Sequence, residues 1–247
     1  GKDRKLMRPA ALITGSAVRL GRAIAHALAT AGYDIALHYN SSGDAALRTA
    51  EEIRGLGVHC EAFGFDLSRP DGFDAYMADV KSEFPRLSVL VNSASGYTAA
   101  PIMETTVEDY DALMNVNLRA PFFMTQAFAR HVDSGSVVNI IDNKVGFHQY
   151  DYAAYLLSKK TLAQFTHMAA MELAPGIRVN GVAPGVILPA TQRSEDYIAW
   201  RVQGIPVQRQ GTTDHITDAV KFLLDNTFVT GQIITVDGGE NLQHIGR

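Results

Sequence analysis

Short apolar segments rich in strand-forming residues alternate with longer segments of helical periodicity from residue 9 onward, and this order constrains the fold more than any other feature. The short segments lack the polar–apolar alternation of half-exposed strands, as expected when helices cover both faces of a parallel sheet. The order therefore predicts an α/β fold. The predicted strands are 10–14, 34–39, 58–65, 87–92, 136–141, 177–182 and 233–236.

The longer segments carry apolar residues at helical spacing and are predicted to be the connecting helices. Such connections imply a Rossmann-type, doubly wound parallel sheet of about seven strands with helices on both faces. The length of 247 residues fits a single α/β domain, which we assign to 9–247, after a flexible N-terminal tail at 1–8. Segment 191–202 falls outside the alternation and is predicted to be a mobile flap over a site. The predicted helices are 21–31, 44–56, 70–84, 107–131, 152–173 and 213–224.

Composition and charge exclude several classes of function. Hydrophobic residues make up 47% of the chain and charged residues 19%, so the sequence is not of the disordered class. The net charge of −4 does not supply the basic field that nucleic-acid binding needs, and no apolar run reaches the roughly 18 residues of a membrane span. The single cysteine, Cys60, cannot form an internal disulfide, and the histidines lack metal-binding spacing. We therefore expect a cytoplasmic protein without a catalytic metal, a nucleic-acid partner or a membrane partner.

A glycine-containing turn, TGSAVRLG at 14–21, connects the first predicted strand to the first predicted helix. Gly15 permits a tight turn and Gly21 permits close packing of the helix, while the helix N-terminus offers N–H groups to a pyrophosphate. The turn predicts a dinucleotide site, and an ordinary tight turn is the alternative interpretation.

The end of the second predicted strand indicates which dinucleotide is bound. NAD-binding folds usually carry an acidic residue there to hold the ribose hydroxyls. Here the end reads HYNSS at 38–42, whose hydroxyl and amide groups, together with a nearby arginine, can donate to a 2′-phosphate. The pattern favours NADP(H), and a merely solvated turn is the alternative. The predicted cofactor contacts are Arg19, Leu20, His38, Tyr39, Asn40, Ser41 and Ser42.

Tyr155 and Lys159 lie four residues apart on a predicted helix, so their side chains project from one face. The Lys159 ammonium favours tyrosinate and lowers the pKa of Tyr155, which would make the phenol a usable proton donor near neutral pH.

Together with the glycine turn, this pair resembles the short-chain dehydrogenase/reductase family, which has a Tyr-x-x-x-Lys pair and a Thr-Gly-x-x-x-Gly-x-Gly turn. The resemblance extends from residue 10 to about residue 239 and implies that Asn117 supports Lys159 through a water. The family also usually forms tetramers through its two long helices, here 107–131 and 152–173, and we expect a homotetramer. Lys159 is expected to hold the nicotinamide ribose as well as to tune Tyr155. Further cofactor contacts implied by the resemblance are Asp66, Leu67, Asn92, Ser93, Ala94, Tyr155, Lys159, Pro184, Gly185 and Val186.

Two departures from the general family pattern point to one branch of it. The family serine that stands 13 residues before the tyrosine is replaced by Asp142, and the central glycine of the turn is replaced by Arg19. Both changes resemble the pteridine reductases and dihydromonapterin reductases, which use NADPH and an Asp–Tyr–Lys set. The resemblance implies that Tyr97 stacks on a pterin ring, and that the C-terminal Arg247 contacts a neighbouring subunit's site. The predicted substrate contacts are Arg19, Ser95, Tyr97, Asp142, Tyr155 and Leu188.

The chemistry of Asp142 favours the same substrate class. An ionised carboxylate repels the negative charge that forms on oxygen when a ketone is reduced, whereas it favours protonation of a C=N nitrogen. The sequence therefore predicts an NADPH-dependent reductase of dihydropteridines, of the dihydrobiopterin or dihydromonapterin type. A protonated Asp142 could still serve a ketone, so a reductase of 3-oxoacyl thioesters or other carbonyls is the alternative. A non-catalytic NADPH-binding protein is a further alternative from a different class.

Overall fold

The computed structural model describes residues 8–149, 151–187 and 194–242. Its centre is a seven-stranded sheet in which every neighbouring pair is parallel, with the strand order 3-2-1-4-5-6-7. All seven predicted strands are present; the third is three residues shorter than predicted and the sixth extends two residues further. The strands are β1 (Ala10–Ile13), β2 (Asp34–Tyr39), β3 (Cys60–Gly64), β4 (Leu87–Asn92), β5 (Gly135–Ile140), β6 (Ile177–Pro184) and β7 (Ile233–Val236).

Helices cover both faces of this sheet, as the sequence predicts. The predicted flap contains one of them, α7, while residues 191–193 of that flap lie outside the described part of the chain. The helices are α1 (Arg19–Thr30), α2 (Gly43–Arg54), α3 (Phe73–Glu83), α4 (Val107–Met114), α5 (Ala120–His131), α6 (Ala153–Leu173), α7 (Glu195–Val202) and α8 (Thr213–Asp225).

The predicted helix 107–131 is helical between those bounds, but it is not a uniform α-helix. A π-helical turn, Asn115–Arg119, separates α4 from α5. Pro121 has no N–H to donate to the carbonyl four residues earlier, which is that of Asn117, and a helix accommodates such a loss by widening locally. The π turn therefore falls at Asn117, beside the site described below.

Two apolar cores lie on opposite faces of the sheet. One joins the strands to α1, α2 and α8, and contains the fully buried Ile24, Ile53 and Val220. The other joins them to α3, α5 and α6, and contains the fully buried Met77 and Met124. None of the helices in the described ranges is long and apolar enough to cross a membrane.

The strand order reverses between β1 and β4, which are neighbours in the sheet although β2 and β3 intervene in the chain. In open parallel sheets of this kind, ligands bind beyond the carboxyl ends of the strands at such a switch point.

Candidate active site

A cleft of about 720 Å³ lies along the carboxyl ends of the strands, at the switch point. Most of the residues predicted from sequence to bind cofactor or substrate line it. They are Gly15, Arg19, Leu20, Gly21, His38, Tyr39, Asn40, Ser41, Ser42, Asp66, Leu67, Ser93, Ala94, Ser95, Tyr97, Asp142, Tyr155, Lys159, Pro184, Gly185 and Val186.

The glycine turn packs too tightly to carry side chains at Gly15 and Gly21. A Cβ on Gly15 would lie 2.9 Å from Ala94 Cα, and Gly15 also has a positive φ of +61°. A Cβ on Gly21 would lie 2.2 Å from the Gly15 carbonyl oxygen. Thr14 Oγ1 accepts hydrogen bonds of 3.0 Å from the main-chain N–H groups of Ser93 and Ala94, which ties the turn to the end of β4.

The N-terminus of α1 follows this turn and faces the cleft. Its N-cap residue is Val18, whose apolar side chain cannot cap the first N–H groups of the helix. Unsatisfied N–H groups and the positive end of a helix dipole form a site suited to a pyrophosphate. The turn and the helix therefore fit the predicted dinucleotide.

Arg19 occupies the position of the family's central glycine and keeps a glycine-like backbone, with φ of 55°. A side chain in this left-handed region costs roughly 1 to 3 kcal/mol. The exposed Arg19 side chain lines the cleft, so a strained backbone places a guanidinium beside the predicted phosphate and substrate positions.

His38 lines the cleft, but its ring is committed to the protein. Its Nδ1 accepts a 2.9 Å hydrogen bond from the Gly15 N–H, and its Nε2 lies 2.8 Å from the Phe65 carbonyl oxygen. An acceptor Nδ1 and a donor Nε2 define the neutral imidazole, and burial lowers the pKa of His38 to about 4. His38 therefore supports the cofactor site by holding the glycine turn, with both ring nitrogens engaged by the protein.

Polar side chains without a carboxylate continue the cleft from the end of β2, where Tyr39, Asn40, Ser41 and Ser42 line it. At the end of β3 the cleft wall includes Asp66, whose carboxylate accepts hydrogen bonds from the Ser68 hydroxyl and N–H. These bonds hold the pKa of Asp66 below its usual value.

Asp142 and Tyr155 meet directly at the other end of the cleft. The Tyr155 hydroxyl donates a 2.8 Å hydrogen bond to Asp142 Oδ2, and the Lys144 N–H donates another of 2.8 Å to Asp142 Oδ1. Both carboxyl oxygens of Asp142 therefore have a hydrogen-bond partner within the protein. A carboxylate that accepts the phenol proton in a hydrogen bond also favours the protonated form of Tyr155.

Lys159 lies beneath this pair, on the same helix as Tyr155. It is buried, and its Nζ donates a 3.1 Å hydrogen bond to the Ile140 carbonyl oxygen at the end of β5. Burial lowers the pKa of Lys159 to about 8, against the opposing influence of the Asp142 charge. Lys160 projects elsewhere, since its Nζ donates to the carbonyl oxygens of Val145 and Phe147.

Two predicted site residues, Asn92 and Asn117, do not line the cleft. Asn92 is buried and donates a 2.9 Å hydrogen bond to Asn139 Oδ1, so its amide belongs to a polar network within the core. Asn117 Oδ1 accepts from the Gly96 N–H, and its amide donates to the Gly96 carbonyl and to Ser158 Oγ. The Asn117 side chain thus holds the segment that leads to Tyr97, and its predicted support of Lys159 through a water stays a prediction.

Tyr97 stands at the mouth of the cleft, with 44% of its surface exposed. Its ring centroid lies 4.8 Å from that of Tyr155 and 5.2 Å from that of Tyr152. Lys144 Nζ lies 4.5 Å from the centroid of the Tyr152 ring on the far side of this aromatic group. The predicted contacts Leu188 and Arg247 lie outside the described residues.

Sequence analysis missed four polar residues that line the cleft: Ser68, which follows the predicted Asp66 and Leu67, and Asn143, Lys144 and Arg201. Asn143 and Lys144 follow Asp142 directly and could have been proposed from that proximity. Arg201 lies on α7, far along the chain from the other site residues, and no motif marks it.

Comparison with known proteins agrees with this geometry. The family model described as enoyl-(acyl carrier protein) reductase matches residues 15–241, nearly the whole chain. The chain belongs to this family of short-chain dehydrogenases/reductases, and it is an NAD(P)-dependent oxidoreductase.

Similar proteins differ in the reactions that their names describe. The 3-oxoacyl-[acyl-carrier-protein] reductase FabG of Staphylococcus epidermidis is 32% identical over 241 residues, which cover 94% of this chain and 99% of the relative. The FolM alternative dihydrofolate reductase 1 of Brucella suis, solved in complex with NADP, superposes with a TM-score of 0.92 at 29% identity, covering 98% of each chain. The acetoin dehydrogenase of Enterobacter cloacae superposes with a TM-score of 0.87 at 31% identity, covering 98% of this chain and 99% of that one.

Proposed function

We propose that the protein is an NADPH-dependent reductase of dihydropteridines that reduces a C=N bond of the pterin ring. The observation that carries this proposal is the 2.8 Å hydrogen bond between the Tyr155 hydroxyl and Asp142 Oδ2, because it places a carboxyl group, where the family has a serine, directly beside the proton donor. An acceptor carboxylate beside the proton donor favours a substrate nitrogen that gains a proton. It disfavours a carbonyl oxygen that gains negative charge.

The residues at the glycine turn and at the end of β2 would hold NADPH. The N–H groups at the start of α1 suit the pyrophosphate, and Arg19 with the polar side chains at 40–42 suits the 2′-phosphate. When bound, NADPH supplies the hydride. The same end of the cleft lacks a carboxylate from β2 among its lining residues, which supports NADP(H) over NAD(H).

Tyr155, Asp142 and Lys159 form the catalytic set. Tyr155 donates the proton to the substrate, and Asp142 holds the phenol in its protonated form and stabilises a cationic substrate nitrogen. Lys159 supplies positive charge from the buried side of the site, where it offsets the charge of Asp142. Asn117 acts as a positioning residue through the Gly96 peptide.

Tyr97 and Arg19 would position the pterin ring. The exposed Tyr97 ring offers an aromatic surface beside Tyr155, whose ring lies edge-on to it, and a flat heterocycle can stack on such a surface. The planar guanidinium of Arg19 can donate two hydrogen bonds to a pterin carbonyl or ring nitrogen. Ser95 lines the same part of the cleft and offers a hydroxyl.

Reduction of a 3-oxoacyl thioester or another small carbonyl compound is the second candidate. Its support is the 32% identity to a protein named as a 3-oxoacyl reductase and the fold shared with an acetoin dehydrogenase. Under this alternative Asp142 would be protonated and would donate to the carbonyl oxygen. The two candidates differ in the protonation state of one carboxyl group.

The rate of NADPH oxidation with dihydrobiopterin, compared with that with an acetoacetyl thioester, distinguishes the candidates. We expect the native protein to prefer the pterin, and Asp142→Ser to lower pterin turnover roughly 100-fold while thioester turnover rises. Asp151→Ser, which removes an exposed carboxylate from the same loop, is the control and should change neither rate. Unchanged pterin turnover in Asp142→Ser, or a native preference for the thioester, would contradict the proposal.

The assembly that we propose is a homotetramer formed through α5 and α6. Large apolar side chains stay exposed on this part of the subunit, including Phe122, Met168 and Met171. Large apolar side chains left exposed on the surface of a subunit are typical of protein interfaces. Light scattering should give four times the subunit mass, and a stable monomer would contradict the proposal.

A further inference from the structure

The short helix α7 lies over the substrate end of the cleft, where Ile198 and Arg201 line the wall. None of its residues is buried in the subunit, so apolar packing contributes little to its position. A helix with so few buried contacts needs another interaction to stay in one place.

Arg201 provides that interaction through a two-point ion pair. Its Nε lies 2.7 Å from Glu240 Oε1, and a terminal nitrogen lies 3.3 Å from Glu240 Oε2. The Arg201 and Glu240 side chains are only 14% and 12% exposed. Two-point pairing between a guanidinium and a carboxylate fixes orientation as well as distance.

Glu240 also contacts the loop after β5, which contains Asp142. Glu240 Oε2 accepts a 2.8 Å hydrogen bond from Asn143 Nδ2, and Asn143 follows Asp142 directly. The same amide lies 3.2 Å from Asp237 Oδ2, and a Cβ on Gly185 would lie 2.6 Å from Asp237 Cβ. Polar contacts therefore connect α7 to the turn that contains Asp237 and Glu240, and that turn to the loop that holds Asp142.

We propose that Arg201 and Glu240 are positioning residues, whose ion pair holds α7 over the substrate and in fixed register with Asp142 through Asn143. This inference rests on the proposed function, in which the substrate that receives the hydride binds beside Tyr155 and Tyr97, in the cleft that Ile198 and Arg201 of α7 also line. It does not depend on whether that substrate is a pterin or a carbonyl compound.

The position of α7 can be followed without turnover, because Trp200 is the single tryptophan of the chain and precedes Arg201 on this helix. Trp200 is 47% exposed, so its fluorescence is open to quenching by acrylamide. In Arg201→Met with NADP⁺ bound, we expect the quenching constant to rise about two-fold, because a helix without its ion pair opens more often. Arg209→Met removes an exposed guanidinium from the segment after α7 and should leave quenching unchanged.

Kinetics supply the second measurement. Arg201→Met and Glu240→Gln should each raise the KM of the second substrate about 10-fold, with kcat changed less than about three-fold and the Kd of NADPH less than about two-fold. Arg201→Lys keeps the charge but loses the two-point geometry, so its KM should fall between those of the native protein and Arg201→Met. The double variant should be no worse than the single variants, since each single change already breaks the pair. The double variant also leaves no buried charge without its partner, so it should fold even if a single variant does not.

Three results would overturn the inference. Additive effects in the double variant would mean that the two residues act separately. A raised KM with unchanged Trp200 quenching would make Arg201 a direct substrate contact, and a weakened Kd of NADPH with unchanged KM would make it a cofactor contact. If dihydrobiopterin is not reduced, the same variants are measured with the acetoacetyl thioester, while the quenching result stands without either substrate.

Discussion

The two ends of the cleft are built in different ways. At the cofactor end, the glycine turn is held by contacts with neighbouring strands, through Thr14 to the end of β4 and through His38 to the end of β3. At the substrate end, polar side chains come from α6, from the segments after β4 and β5, and from α7, which has no buried residue. The first end is part of the sheet, whereas the second is assembled from segments attached to it.

This difference separates the general part of the reaction from the specific part. A sheet-bound turn presents main-chain N–H groups in one geometry, which suits a cofactor that many enzymes share. Loop side chains can change without disturbing the sheet, which suits a substrate that differs between relatives. Changes at the substrate end should therefore alter turnover and selectivity, while changes at the cofactor end should alter NADPH binding and stability.

Tyr155→Phe should produce the largest effect, and only turnover should change. Removal of the hydroxyl that donates to Asp142 should lower kcat by roughly 1,000-fold, within the usual range for a lost proton donor. The Kd of NADPH, measured by fluorescence titration, should stay within about two-fold because the glycine turn is untouched. Tyr110→Phe on the surface of α4 is the control. A comparable loss of NADPH affinity would remove the separation between the two ends.

Gly21→Ala tests the cofactor end with the smallest possible side chain. The added methyl would lie 2.2 Å from the Gly15 carbonyl oxygen, so the turn or the helix must move. We expect NADPH affinity to fall roughly 100-fold and the free energy of unfolding to fall by about 2 kcal/mol, as in other overpacked sites.

Gly43→Ala is the matched control for this substitution, because its methyl would meet only the Tyr39 ring, at 3.5 Å. Isothermal titration and urea unfolding measure the two quantities. Normal NADPH binding in Gly21→Ala would show that the turn tolerates movement and is not the rigid element described above.

The sequence predicted the sheet-bound parts well because their signals are local. All seven strands follow from short apolar runs, and the glycine turn follows from its position between a strand and a helix. Tyr155 and Asp142 could be proposed as a pair, but their 2.8 Å contact depends on how the loop after β5 returns to α6.

Contacts between distant segments left no such signal. Arg201 and Glu240 are 39 residues apart and follow no regular spacing. Sequence alone also did not indicate that the buried His38 ring holds the glycine turn, because a histidine at the end of β2 could equally contact a phosphate. Only the positions of Gly15 and Phe65 distinguish the two roles.

The pH dependence of stability tests the contact between the His38 ring and the glycine turn. Burial lowers the pKa of His38 to about 4, below its ordinary value of 6.5. The unfolded chain therefore binds the proton more tightly, and stability is lost as the pH falls from about 6.5 towards 4. Between pH 7 and pH 5 this single group should reduce the free energy of unfolding by about 2 kcal/mol.

Urea unfolding of the native protein and of His38→Gln measures this contribution. The variant has no ionisable group at this position, so its stability should fall by about 2 kcal/mol less over the same pH interval. Its NADPH affinity should also fall, because Gly15 loses a rigid acceptor. Equal pH dependence in the two proteins would mean that the His38 ring takes up a proton in the folded state.

Arg19→Gly should produce the smallest effect, and it should change stability and binding in opposite directions. Glycine adopts the φ of 55° without strain, so the free energy of unfolding should rise by about 1 kcal/mol. The loss of the guanidinium should weaken NADPH binding by about 10-fold, since one charged phosphate contact disappears. It should also raise the KM of the pterin more than that of the thioester, because only the pterin offers the paired acceptors that the guanidinium matches. Thermal unfolding, titration with NADPH and parallel kinetics with both substrates measure these terms. If stability rises as expected but neither KM changes, Arg19 contacts only the cofactor and has no part in substrate selection.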